Sequence, residues 1–182
     1  MYNLQYPASR EHLSISSSLL VPYALNQLGF VEYKQLEKND TIIYRWLDEI
    51  SGIDWLARDN QGNVYGLATR IRFITSKRPY PYKEYTIRLE KSDKDAEFGK
   101  RIKAITNGYL YPTHTLQAWF SASADITSSV FLCGATMPTV QLYDFMDKHS
   151  YSVKEQYSDR PFLAVSWDLI KSAGYNINII NN

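Results

Sequence analysis

The stretch from Gly52 to Phe73 constrains the fold more than any other part of the chain. Gly52-Ile53-Asp54-Trp55-Leu56-Ala57-Arg58 is followed by the turn cluster Asp59-Asn60-Gln61-Gly62-Asn63, and then by Val64-Tyr65-Gly66-Leu67-Ala68-Thr69-Arg70-Ile71-Arg72-Phe73. Asn and Gly tolerate the positive φ of tight turns, so two apolar runs flanking such a cluster predict a β-hairpin. A loop of Asn60-Gln61-Gly62, with Gly62 in the left-handed region, places Asp54 opposite Ala68. On the second strand Tyr65, Leu67, Thr69, Ile71 and Phe73 alternate with Gly66, Ala68, Arg70 and Arg72, which predicts one core face and one face turned to solvent or a ligand. A slip of one residue would reverse the assignment of Asp54.

Elsewhere the periodicities alternate between helix and strand. Leu20, Ala24 and Leu28, with Val21 and Leu25 alongside, predict a helix stopped by Gly29. Ser16-Ser17-Ser18 reads as a helix-start region rather than a linker, and Pro22, tolerated only in a first turn or at a bend, sets the start later than Ser16 or bends the helix there. Thr41–Trp46 is β-branched and aromatic and predicts a strand, as do Glu84–Leu89, Thr113–Phe120, Ser129–Cys133 and Pro161–Ser166. Asp95 is placed to cap a helix over 96–106 that Asn107-Gly108 ends, with Phe98, Ile102 and Ile105 on one face and Lys100, Arg101 and Lys103 on the others; a further helix is expected over Thr139–Lys148, and a short segment over Trp167–Ala173. Pro79 and Pro81 make 77–82 a loop. The expectation is one domain spanning 1–182, of mixed α+β or α/β class, with a central mixed sheet that carries the hairpin and is flanked by helices.

Composition narrows the class. With 45% hydrophobic and 21% charged residues and a net charge of +1, the chain has material for one core and an ordinary soluble surface. The opening Met1-Tyr2-Asn3-Leu4-Gln5 lacks a basic leader, and no apolar run approaches the roughly 18–20 residues that span a bilayer. A cytoplasmic location without membrane association is expected. The lone Cys133 cannot form an internal disulfide and reads as a small buried apolar residue. His12, His114 and His149 show no zinc-binding spacing.

Charge is unevenly spread. Between Arg70 and Lys103 eleven Lys/Arg stand against five Asp/Glu, while the remainder holds nine basic and fourteen acidic residues. Phe73, Tyr80, Tyr82, Tyr85 and Phe98 lie among these cations. Cations interleaved with rings suit a polyanion, and a solvated face is the plain alternative. Tyr80, Tyr82, Tyr109 and Tyr111 flank turns and prolines, which favours exposure.

An N-terminal helix, a strand reading Gly52-Ile53-Asp54, a hairpin turn and a strand with basic residues near its end resemble the core of the restriction-endonuclease-like, or PD-(D/E)xK, superfamily. In that family the first acid and the acid of an E-x-K or Q-x-K triplet hold a divalent cation, and the lysine helps to activate water. The resemblance implies that Asp54 is the catalytic acid and the ligand of a Mg²⁺. It sets Ala68 and Arg70 in the place of the triplet's acid and lysine, and there the pattern breaks. A methyl group ligates no metal, and an arginine stabilises charge but does not serve as a base. Asp48, Glu49 or Glu11 could replace the missing acid, and Glu97 and Gln117 sit on later elements able to reach the same face.

The resemblance therefore implies a nucleic-acid-interacting protein on a nuclease-like scaffold with an incomplete catalytic motif. Arg70 and Arg72 would face the phosphates, extended by Lys77, Arg78, Arg88, Lys100, Arg101 and Lys103, with DNA ahead of RNA as the partner. Two alternatives accompany it. One is an inhibitor or accessory factor of a mobile element that blocks a nucleic-acid-processing protein. The other is an active Mg²⁺-dependent nuclease, with Arg70 as a catalytic residue at the scissile phosphate and a migrated acid completing the site.

Overall fold

The computed structural model describes residues 10–36, 42–74, 79–89, 97–123, 125–149, 151–154 and 161–182, except for the side chains of 10–16 and 45. Helix α1 (Arg10–Gln27) leads into strand β1 (Phe30–Gln35), a short helix α2 (Ile42–Arg45) and a wider π-type turn over Trp46–Ile50. The hairpin strands β2 (Trp55–Asp59) and β3 (Val64–Phe73) follow, then β4 (Glu84–Arg88), α3 (Glu97–Asn107), β5 (His114–Phe120) and a short turn at Ile126–Ser128. Strand β6 (Phe131–Pro138), α4 (Thr139–Lys148), β7 (Ser152–Lys154), β8 (Phe162–Ser166), α5 (Trp167–Ser172) and β9 (Asn178–Asn181) complete a single mixed α+β domain.

The hairpin forms in the expected register. Trp55 pairs with Leu67 and Arg58 with Val64, and Gly62 turns the loop with φ +89°. Asp59 fixes that loop, its carboxylate accepting the N–H groups of Gln61 and Asn63 at 2.9 Å each. The six-stranded sheet runs β1-β2-β3-β5-β6-β9, with β3 and β5 parallel and the other neighbours antiparallel. A second sheet of three antiparallel strands runs β4-β8-β7.

Helix α1 covers one face of the large sheet. Leu20, Val21, Ala24, Leu25 and Leu28 pack there with Trp55, Ala57, Leu67, Leu116, Ala118 and Phe120, and Tyr65, Ile71 and Phe73 lie against the same cluster. The predicted core face of β3 is thus the α1 face. The helix starts at Arg10 rather than in the serine run, which leaves Pro22 in its interior. A mid-helix proline costs about 3 kcal/mol. Burying a Leu or Val contributes roughly 1.5–3 kcal/mol each, and four such side chains on this face outweigh the proline. Gly29, at φ +88°, lets the chain leave α1 for β1.

The other face of the sheet is also covered. Trp119, Cys133, Ala135 and Met137 from β5 and β6 join Tyr85 and Ile87 of β4, Leu163 and Val165 of β8, and residues of α4 and α5 in a second cluster. The face of β3 that carries Arg70 and Arg72 is only partly open, both residues being half-buried. That narrows the expectation of a face turned to solvent or a ligand.

Two local expectations also change. Residues 42–46 form helical turns rather than a strand, because β1 already occupies the edge of β2, with Gln35 opposite Trp55. A β-branched run has no strand preference without a ladder to join. In α3 the deepest side chain is Arg101 rather than the apolar Phe98, Ile102 or Ile105, because a buried carbonyl on the neighbouring turn receives it. Helix α4 and strands β4, β5 and β8 form where expected, with ends shifted by a residue or so, whereas β6 runs five residues further, to Pro138. Asp95, Lys77 and Arg78 lie outside the described residues, as does the side chain of Glu11.

Candidate functional site

The residues that the sequence singles out gather at the end of the hairpin, where α3 and β4 meet the large sheet. The π-type turn delivers Asp54: Gly52 and Ile53 donate their N–H groups to the carbonyls of Asp48 and Leu47, both at 2.9 Å. Ile53 then packs across Gly66, where an added Cβ would stand only 3.2 Å from its side chain. Asp54 brackets Ala68 as the register predicts. Its N–H donates to Leu67 O at 2.8 Å, and its carboxylate accepts the Thr69 N–H at 2.6 Å and the Thr69 hydroxyl at 3.1 Å.

The carboxylate therefore substitutes for a backbone acceptor at the point where the β2–β3 ladder ends. Burial pushes its carboxyl up to about 7, with Asp48 and Glu97 adding to the rise and the Thr69 hydrogen bonds opposing it. Burial of a charge that has lost most of its water is the dominant effect.

Arg70 and Arg72 point toward the second sheet. Arg70 donates through Nη2 to Glu97 at 2.6 Å, and through Nη1 to the carbonyl and hydroxyl of Thr86. Arg72 donates to the same hydroxyl at 2.8 Å. Gln117, opposite Arg70 in the β3–β5 register, accepts the Thr86 N–H and hydroxyl at 3.0 Å each and donates to the carbonyl of Glu84. Glu97 and Gln117 thus do converge on the face that the sequence nominated. They serve there as partners that join two sheets. Burial alone would raise the Glu97 carboxyl, but Arg70, the Arg88 N–H and Arg101 hold it below its ordinary value.

The predicted basic track divides. Arg101 is only 9% exposed and donates to Ser51 O at 2.7 Å, so it is an internal strut. Arg70 is committed to Glu97 and Thr86. Arg88, Lys100 and Lys103 stand on the surface. Arg88 and Lys100 line a cleft of about 230 Å³ with Glu49, Glu97, Arg101 and Leu110.

The donor set does not fit a Mg²⁺. Position 68 has no ligand atom, the Glu97 carboxylate is held by Arg70, and Asp54 is held by Thr69. Among the described residues no group of three or more His, Cys, Asp or Glu is arranged to hold a metal ion. Cys133 is buried, and its thiol is pushed up to about 11 by that burial, which leaves it unreactive. His114 stands edge-on to Tyr65 with 4.7 Å between ring centres, and burial lowers its pKa. Tyr80, Tyr82 and Tyr109 are exposed, as their neighbouring turns predict, whereas Tyr111 is half-buried.

One feature escaped the sequence reading. Ile42, Ile43, Trp46 and Ile50 are 60, 62, 55 and 73% exposed, and they form a stripe along α2 and the π-type turn. The signal was present in the i, i+4, i+8 spacing of positions 42, 46 and 50, but the β-branched composition disguised it. Among the described residues no helix is long and apolar enough to cross a membrane, so the stripe is not part of a spanning helix. Comparison of the chain with family models, with curated proteins and with solved structures returns no match.

Proposed function

We propose that this chain is a binding protein on a restriction-endonuclease-like scaffold, and that its ligand is another protein. The scaffold reading is supported by the N-terminal helix on a mixed sheet and by Asp54 at the start of the first hairpin strand. The non-hydrolytic reading is supported by Ala68 and by the internal engagement of Asp54, Arg70 and Glu97. A scaffold of this kind freed from hydrolysis fits an inhibitor or accessory factor of a nucleic-acid-processing protein.

The exposed stripe of Ile42, Ile43, Trp46 and Ile50 carries the proposal. Full burial of such a side chain contributes roughly 1.5–3 kcal/mol, so covering four that are more than half exposed contributes roughly 4–7 kcal/mol. Association costs about 4–15 kcal/mol in lost freedom. The stripe alone is therefore marginal, and a stable complex needs polar contacts at its margin.

A second reading, nucleic-acid binding, is favoured by the surface cations Arg88, Lys100 and Lys103. One pair of measurements separates the two. Binding to DNA or RNA through several phosphates weakens steeply between 50 and 200 mM salt, in the manner of counterion release. A complex seated on the stripe survives that range and is lost in Trp46→Asp and Ile50→Asp. Strong low-salt nucleic-acid binding, together with partner capture indifferent to Trp46→Asp and Ile50→Asp, would reverse the order of the readings.

A further inference from the structure

A sheet edge is a row of unpaired N–H and C=O groups that accepts another strand unless something blocks it. The two sheets have their edges at β1, β9, β4 and β7. All but β9 are blocked. Strand β1 carries a bulge between Phe30 and Glu32 and the charged side chains of Glu32 and Lys34. Strand β7 is only three residues long. On β4 the outward groups are already used: the N–H groups of Glu84, Thr86 and Arg88 donate to Tyr82 O, Gln117 and Glu97, at 2.8, 3.0 and 3.2 Å.

Strand β9 has none of these devices. From Ser172 to Asn182 there is no Lys, Arg, Asp, Glu or Pro, and the ladder with β6 runs without a bulge. Asn182 donates its N–H to Leu132 O at 3.0 Å, and backbone groups alternate in direction along a strand. Asn178, Ile180 and Asn182 therefore bond to β6, while Ile179 and Asn181 turn their N–H and C=O groups outward. These outward groups have no partner among the described residues. Donors and acceptors at this spacing fit an extended backbone.

We infer that β9 is the contact between two copies of this chain, paired antiparallel about a two-fold axis at Ile180. Opposed residues share a face of a sheet, so a two-fold between antiparallel copies passes through a residue rather than between two. Ile180 lies midway between the outward-facing residues. Ile179 then exchanges both of its hydrogen bonds with Asn181 of the partner subunit, and the axis repeats the exchange on its other side. The sequence of the strand selects a second copy over a charged peptide. Its Asn-Ile-Ile-Asn edge offers a charge nothing to pair with and meets itself without repulsion, and Ile180 packs on its own copy at the closer spacing of a non-hydrogen-bonded pair. Strand β9 ends the sheet on the side away from β1 and the α2 segment that follows it, so the contact is independent of a protein bound on the α2 stripe.

The test is sedimentation of the full chain over a concentration series, with residue-resolved amide hydrogen exchange at its two ends. A species of twice the chain mass should form as concentration rises. The N–H groups of Ile179 and Asn181 should then exchange about tenfold or more slowly than in the dilute monomer. Those of Asn178 and Ile180, already bonded to β6, should change less. Asn181→Pro removes an outward donor and an exposed side chain but no bond to β6, and Pro is tolerated on an edge strand with its nitrogen outward. With its fold checked by circular dichroism, this variant should stay monomeric over the same series, whereas Trp46→Asp should dimerise like the wild type.

A chain that is monomeric throughout would overturn the inference. So would a dimer whose Ile179 and Asn181 amides exchange as fast as in the monomer, or one that survives in folded Asn181→Pro. Loss of the dimer in folded Trp46→Asp would move the contact to α2 and overturn it as well. If Asn181→Pro does not fold, the exchange pattern of the wild type decides alone.

Discussion

The carboxylate of Asp54 accepts the backbone N–H of Thr69 at 2.6 Å, so a side chain finishes a hydrogen-bond ladder that the backbone of β2 leaves incomplete. The acid that the resemblance would assign to catalysis is engaged in closing the hairpin.

Burial of this carboxyl makes stability depend on pH. The Asp54 carboxyl rises from 3.8 to about 7 in the folded chain, chiefly through burial. Between these values the folded state binds the extra proton, so its stability falls as pH rises. The favourable contribution is fully present below 3.8 and is lost as pH passes about 7. The loss is at most about 4 kcal/mol, and less because part of the residue remains exposed. Asp54→Asn keeps an acceptor for Thr69 without the charge. Urea unfolding from pH 4.5 to 8.5 should show the wild type losing stability relative to this variant as pH increases. Parallel curves would contradict the assignment.

Arg70 and Glu97 are a coupled pair at a partly buried seam. Glu97→Gln should cost roughly 1.5–3 kcal/mol, because the guanidinium loses its counter-charge while staying among Thr86 and Arg72. Arg70→Ala also strips Thr86 of two donations and should cost at least as much. In the double variant the costs should be clearly less than additive in equilibrium denaturation. Additive losses would mean that the two residues act separately.

Gly52 and Arg101 constrain each other. Gly52 has φ +66°, and an added Cβ would lie 3.0 Å from Nη2 of Arg101. Gly52→Ala therefore strains the backbone and displaces a guanidinium that holds Ser51 O. It should cost roughly 1–3 kcal/mol. With Arg101→Ala already present, the further cost of Gly52→Ala should shrink to the backbone part. An undiminished cost in a thermal-melt double-mutant cycle would show that the contact carries no energy.

The Cys133 thiol is buried in β6, and burial pushes it up to about 11. Alkylation by iodoacetamide at pH 8 should be slow in the native chain and complete within the same period in denaturant. Fast native labelling would mean that the strand opens readily.

Much of the fold was readable because it is set by neighbours in sequence. The Asn60-Gln61-Gly62 loop specifies a positive φ at Gly62, and that one turn fixes the pairing of Trp55 with Leu67. The spacing of Leu20, Ala24, Leu25 and Leu28 sets a helix and its buried side within a few turns. The surroundings of β3 were not readable. Its Arg70 face is partly covered by β4, which is held in turn by β8, with Tyr85 opposite Val165 some eighty positions away in the chain. Alternation assigns Arg70 to a face, but only that distant pairing brings Thr86 and Glu97 to meet it. The outward stripe of α2 has the same origin: its β-branched residues favoured a strand, and the prior pairing of β1 with β2 left no edge for them. Local sequence thus determined the hairpin, its register and the sides of each strand, because turns and periodicity act over a few residues. Tertiary structure decided which sides were covered and which charges were neutralised, because those depend on contacts that no local pattern encodes.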